Sequence, residues 1–584
     1  MLTLLVLCQF LLVRALQNPI ISGQVFDHLV KFNKLLLTIG SWNPDPSILQ
    51  VKGTYYLATS SFEYFPGTPI YASVDLANWT LISHAQIKPS QVQLYGTPTG
   101  AGVWAPTLSY HNGLFYLASM TRWTYDPVAR VWPRVMFMSS PDLITWSDPI
   151  WAEPWGIDPS LFHDPKSGRT YLNLMAPNNN KDRIWGIYQC EVDLDSGDCS
   201  GSYRSLWNGT LVQNATSRLE GPKMFYKDPY YYLLTAEGGT DDQHRSTIAR
   251  SDSPEGPWKS APNNPILFNG RWGFDNLTVQ STGHGTFTET PNGEWFCSFI
   301  ARRKVNGSSP LGRETFLTSV TWQDGWPILN NNEPITLSQN ISGVSAQKPP
   351  LQPFEDEFCE RTLDLSWYQL RTPYTRNYAL ASQGQQSSKR HGNDTQCGLM
   401  LKPNVFGLSD RDTPSALLRK QKSLNMTFSA TLFASNTSLG SRQTVGISAY
   451  LSEYSHQDIG VKGCTNSTGL CIYSQLIMNT TTMVKEVPLG QHTIPHDLTL
   501  HIRAKPLSYS LGYTIGDSIV TWVDELPSSW LAWAPSGFYV FSGASWAIFA
   551  SGGGEPWAPT GGIVGFTKVR EDYFQEDIPD YDVW

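Results

Sequence analysis

Asp45, Asp158 and Glu220 each open a copy of one sequence pattern, and acids brought together in one pocket do chemistry that stability does not require. The pattern is a β-hairpin with an aromatic in its returning strand. Its copies are NPDPSILQVKGTYYLATS (43–60), WAPTLSYHNGLFYLAS from Trp104, DPSLFHDPKSGRTYLNL from Asp158, EGPKMFYKDPYYYLLT from Glu220 and HGTFTETPNGEWFCSF from His284. The aromatics are Tyr56, Tyr116, Tyr171, Tyr232 and Trp295, at intervals of 60, 55, 61 and 63 residues. Counting back 11, 12, 13, 12 and 11 residues from them gives Asp45, Trp104, Asp158, Glu220 and His284. Equivalent repeats place these five side chains in equivalent positions.

A period this long suits a propeller blade, whose innermost strand lines a central channel. The five side chains are therefore expected to ring one cavity. A tight turn, Lys52-Gly53 in the first copy, separates the two strands of the hairpin. An Asp-Leu-x-x-Trp turn recurs at Asp75 to Trp79 and Asp142 to Trp146, with a looser echo at 253–258. Those tryptophans are expected to pack between blades.

At 584 residues the chain is too long for one core. Charged residues make up 16% and aromatics 12%, with 47 Gly and 40 Pro, the composition of a turn-rich β protein. The net charge of −8 argues against nucleic acid or an anionic membrane as partner, and favours a neutral ligand such as a sugar. The reading is all-β: a five-bladed propeller over 43–342, a linker at 343–353 (GVSAQKPPLQP) and a β-sandwich over 354–584 with a solvated acidic tail.

Residues 1–15 carry an apolar run of signal-peptide length ending in Val-Arg-Ala, which suits cleavage and export. Eleven Asn-x-Ser/Thr sequons fit a secreted, extracellular glycoprotein. Cys190 with Cys199, Cys464 with Cys471 and Cys359 with Cys397 are candidate disulfides, leaving Cys297 as a buried thiol. No Cys/His cluster has the spacing of a zinc site.

Seven motifs in order, NPDPS, SSFEYFPG (60–67), VWAPTL (103–108), GIDPSLF (156–162), EGPKMFYK (220–227), TGHG (282–285) and PLGRETF (310–316), resemble those of glycoside hydrolase family 43. The stretch DEFCERTLDLSWYQLRTPYTRNY, from Asp356 to Tyr378, is similar to the start of the concanavalin-like sandwich that follows the propeller in its β-xylosidase branch. The resemblance implies an inverting hydrolase with Asp45 as base, Glu220 as acid and Asp158 as the carboxylate that keeps Glu220 protonated. Blades one and four are not neighbours in a ring of five, so Asp45 and Glu220 would face each other across the channel.

By the same resemblance Arg313 binds sugar hydroxyls, Phe62 and Trp104 wall the sugar site, and the sandwich lends the site a loop. Core packing is the alternative for Phe62 and Trp104, and a surface ion pair with Glu314 that for Arg313. His284 matches a channel histidine that in some members helps hold a water or a calcium ion; a satisfied core histidine is the alternative, and no catalytic cofactor is implied. Lys223 stands where many members carry histidine. Nineteen residues, 24–42, intervene before Pro-Asp-Pro where the family has almost none, a genuine insertion or a retained intron. The activity implied is release of xylose from xylo-oligosaccharides or arabinoxylan. α-L-Arabinofuranosidase is the nearest alternative, with a carbohydrate-binding propeller or a retaining fructoside hydrolase further off.

Overall fold

A computed structural model describes residues 15–17, 41–122, 133–177, 185–212, 217–271, 273–340, 350–381, 397–434, 439–532, 539–558 and 564–582. Residues 1–14, most of the 24–42 insertion and most of the linker lie outside them. Five four-stranded antiparallel sheets follow one another along the chain. Their first strands are Ser47–Val51, Gly102–His111, Ile157–His163, Glu220–Lys227 and Val279–Glu289. Local sequence fixes the hairpin register. Lys52-Gly53 and Asn112-Gly113 all take positive φ, as a two-residue type I′ turn requires, and set Val51 opposite Thr54 and His111 opposite Leu114.

Hydrogen bonds between neighbouring blades run round the whole ring. Leu108 N donates to Ser47 Oγ, Ser109 Oγ meets His163 Nε2, Gly221 N donates to Asp158 Oδ2, His244 Nδ1 meets Ser281 O, and Thr286 Oγ1 donates to Pro46 O. The last joins blade five to blade one. The Asp-Leu-x-x-Trp turns do pack between blades. Asp75 and Asp142 cap the turn amides, while Trp79 and Trp146 are buried against residues of adjoining sheets.

Beyond the propeller a sheet built on Gly565–Tyr573, Met426–Leu432 and Leu498–Ala504 packs on a six-stranded sheet built on Ser545–Ser551 and Thr444–Ser452. Phe428 and Trp546 stack across the layers with ring centroids 5.6 Å apart. The three expected disulfides are present and Cys297 is a buried thiol. Gln369–Leu370 pairs with Tyr64–Phe65, which lies between two strands of blade one, so a separate two-stranded sheet ties the sandwich to the propeller.

Ser41 and Trp42, the last residues of 24–42, belong to the fold: Trp42 is fully buried, packs on Phe62 and Tyr64 and donates Nε1 to Ser545 Oγ. One expectation is corrected: the acidic tail is docked, not solvated. Glu571 pairs with Arg419 and Glu576 with Arg303, all buried, and Thr278 N and Asn306 N donate to Asp580 O and Asp582 Oδ1. These acids lie where buried arginines need partners, a non-local demand that acidic composition alone does not reveal. Arg303 of blade five is held between Glu314 (2.9 Å) and Glu576 (2.8 Å). Glu576→Ala leaves Arg303 its pair with Glu314 but removes the buried acceptor of Arg303 Nη1, Ser423 Oγ and Leu424 N, and should lower unfolding free energy by roughly 1–3 kcal/mol in urea titrations.

Candidate active site

Every blade begins with the same backbone step. Asp45, Ala105, Asp158, Gly221 and His284 have φ of 57°, 22°, 53°, 62° and 50°. Each is followed by Pro or Gly, after which Ser47, Thr107, Ser160, Lys223 and Thr286 pair with the returning strand. Positive φ in a non-glycine residue costs about 1–3 kcal/mol and gathers at functional sites. This step corrects the sequence register: Ala105 and Gly221, not Trp104 and Glu220, are equivalent to Asp45, Asp158 and His284. The slip is one residue in two repeats: a count of 11 from Tyr116 and Tyr232, the same as from Tyr56 and Trp295, reaches Ala105 and Gly221, whereas a count of 12 reaches Trp104 and Glu220.

Asp45 is the most heavily contacted of the acids. Ser60 Oγ donates to its Oδ2 (2.6 Å), Arg313 Nη1 to Oδ1 (3.1 Å), Arg313 Nη2 lies 3.4 Å from Oδ2, and His284 Nδ1 lies 3.2 Å from Oδ1. Burial alone would raise its pKa; Arg313, then His284 and Ser60, outweigh that and hold it well below the usual carboxylate range. Arg313 makes no pair with Glu314, which Arg303 occupies.

Asp158, also buried, accepts from Gly221 N at 2.9 Å. Burial, then the charge of Asp45, push its pKa up against the pull of His284 and Lys223. Glu220 follows Arg218 and Leu219 into the blade-four strand and keeps part of its surface open. Burial, then the negative charge of Asp158, push its pKa well above the usual carboxyl range, against the pull of Arg218. One channel thus holds an acid that resists protonation and another that retains its proton.

The remaining expected residues join this cluster. Phe62 is buried, with Arg313 Cζ 5.6 Å from its ring centre. Trp104 donates Nε1 to Gly100 O. Both contact Phe541 of the sandwich, at centroid distances of 5.8 and 5.4 Å, and Arg313 Nε donates to Phe541 O at 3.1 Å. Sequence reasoning expected a loop here without identifying Phe541, because no repeat or charge marks it.

It also missed the roles of Lys223 and His244. Lys223 is buried, donates to Thr107 Oγ1, and has its pKa drawn down to about 8 by burial against the pull of Asp158 and Asp45. His244 is buried beneath Gly283 and kept neutral, its pKa lowered to about 3 chiefly by burial.

The Nε2 atoms of His244 and His284 are buried without hydrogen-bond partners among the described residues. No group of three or more His, Cys, Asp or Glu placed to hold a metal ion occurs among the described residues.

Residues 38–327 match the family described as Glycosyl hydrolases family 43, and 355–558 match the Beta xylosidase C-terminal Concanavalin A-like domain. A non-reducing end α-L-arabinofuranosidase of Bacteroides ovatus is 33% identical over 71% of this chain and 70% of its own. A β-xylosidase of Bacillus subtilis is 34% identical over 61% of this chain and 68% of its own. The crystal structure of a xylan β-1,4-xylosidase from Bacillus halodurans superposes with a TM-score of 0.80 at 26% identity, covering 95% of this chain and 99% of that one.

The packing of the cluster can be tested without substrate. A Cβ at Gly221 would lie 2.8 Å from Cδ2 and Nε2 of His284 and would sit at positive φ. Gly221→Ala should therefore cost roughly 1–3 kcal/mol, read as a lowered midpoint of thermal or urea unfolding.

Proposed function

We propose, from the premise that the chain belongs to glycosyl hydrolase family 43, that it is a secreted exo-acting β-xylosidase working by single displacement with inversion. The observation that carries this reading is the opposite proton affinity of two acids in one channel. Asp45 is held ionised by Arg313, His284 and Ser60; Glu220 is held protonated by burial and by Asp158. Glu220 gives its proton to the glycosidic oxygen as the bond from that oxygen to the anomeric carbon breaks. Asp45 takes a proton from the water that attacks the same carbon from the opposite side, and the configuration inverts. Asp158 acts on Glu220 through its charge and touches no bond that changes.

Phe62, Trp104 and Phe541 supply apolar walls for the sugar ring. Arg313 spends its described hydrogen bonds on Asp45, Thr240 and Phe541, which leaves one Nη2 hydrogen for a sugar hydroxyl. These side chains complete the acid–base step, with no cofactor needed. The xylo-oligosaccharide or arabinoxylan substrate is supported by the β-xylosidase relatives. Release of α-L-arabinofuranose is the second reading, favoured by the Bacteroides ovatus relative. Export is supported by the three disulfides and by exposed sequon asparagines at 208, 276, 306, 466 and 479. Asn78 and Asn425 instead donate their amide nitrogens within the fold and are expected to stay unmodified.

Proton NMR of xylobiose during hydrolysis should show α-xylose before mutarotation; β-xylose first would refute inversion. Glu220→Gln should lose about 10²–10⁴-fold in kcat on xylobiose but far less on an aryl xyloside, whose leaving group needs no proton. Asp45→Asn should lose activity on both. Since the acid works protonated, activity should fall as pH rises through the raised pKa of Glu220, and the low pKa of Asp45 should keep the acid side active well below pH 4. An alkaline limb at ordinary glutamate values would contradict the assignment of Glu220.

A further inference from the structure

Lys420 ends the edge strand Ser415–Lys420 of the six-stranded sandwich sheet, yet its side chain is buried in the propeller. Its Nζ donates to Asn43 Oδ1 at 2.9 Å and lies 4.0 Å from the ring centre of Trp42 and 5.5 Å from that of Tyr368. No carboxylate among the described residues makes an ion pair with it. Burial draws the Lys420 pKa well below the ordinary lysine range, and what the amine brings to this interior is its N–H donor on Asn43.

What it holds is the approach to Asp45. Asn43 is fully buried, and every polar atom it has is engaged. Its Oδ1 also accepts from Tyr71 OH (2.8 Å), its Nδ2 donates to Ser41 Oγ (2.7 Å), its N donates to Arg313 O (3.0 Å) and its O accepts from Thr315 Oγ1. Arg313, whose backbone meets Asn43, is the residue whose guanidinium grips Asp45 two positions further on. Pro44 between them accepts from Ser60 N, and the Ser60 hydroxyl donates to Asp45. Asn43 is thus the point at which blade one, blade five and the sandwich meet.

We propose that Lys420 is a positioning residue of the hydrolase: through Asn43 it fixes the stretch that presents Asp45 to Arg313, so that a docked sandwich is required for the base to be in place. This rests on the reading of Asp45 as the base. The sandwich therefore acts on the site in two ways, covering it with Phe541 and setting the base from behind with Lys420.

The test compares Lys420→Met, which keeps the length of the side chain and removes the Nζ donor, with Asn43→Ala, which removes its acceptor. Each should lower kcat on an aryl xyloside roughly 10- to 100-fold, the usual consequence of a small misplacement, with KM changed little. Each should also move the acid limb of kcat/KM to higher pH. Asp45 faces Arg313 and His284 directly, with Lys223, Asp158 and Glu220 around them, and a looser hold by Arg313 lets it protonate earlier as pH falls.

The double variant should lose no more than the worse single, because both act through one contact. Unchanged kcat and an unmoved acid limb in either variant, even with a lowered melting temperature, would overturn the proposal and leave Lys420 as packing. Additive losses in the double variant would overturn it too. If Lys420→Met does not fold, Asn43→Ala decides alone on the same two readouts. Asp45→Asn separates the two levels: if it stays active, the reading of Asp45 as base fails, whatever Lys420 does.

Discussion

The guanidinium of Arg313 on the carboxylate of Asp45 is the contact on which the rest of this structure depends. It spans the seam where a ring of five sheets must close, with the arginine on blade five and the aspartate at the entry to blade one. Both side chains are buried, so each would be expensive without the other. The same arginine fixes Phe541 through its carbonyl and Asn43 through its own, so seam, base and sandwich are tied at one residue. Closure of the propeller and formation of the site are one event.

From that contact follows the separation of two chemically similar acids. Asp45 has a cation, an imidazole and a hydroxyl on its oxygens; Glu220 has burial and the charge of Asp158, with Arg218 only partly offsetting them. Identical functional groups are thus driven to opposite protonation states a short way apart, the condition for acid and base catalysis at one pH. Asp158, its pKa raised chiefly by burial, is tied to a backbone amide in the next blade, and Lys223 counters the charge around it.

The sandwich does more than follow the propeller in sequence. Gln369–Leu370 pairs with Tyr64–Phe65 inside blade one's connection, the tail threads back to blade five through Glu576, and Lys420 and Phe541 reach the site from two sides. Arg303 without Glu576, or Asn43 without Lys420, loses a hydrogen bond made in the interior. Dissection of the chain at its linker would therefore remove buried hydrogen bonds from both halves.

The sequence by itself determined the five hairpins, their turns, the sandwich and the two closely spaced disulfides, because each rests on local physics: period-two alternation, glycine at positive φ and short cysteine spacing. It singled out Asp45, Asp158 and Glu220 by their recurrence and Phe62, Trp104, His284 and Arg313 through motifs, which are local as well. Tertiary structure alone decided which residue of each repeat occupies the strained step, and so that Ala105 and Gly221 stand level with Asp45. It also decided that Lys223 enters the channel, that Phe541 and Lys420 cross from another domain, and that the acidic tail is drawn in by Arg303 and Arg419. These depend on which distant groups meet in the interior, where a charge must find its partner. Neither composition nor spacing encodes that meeting until the chain has closed.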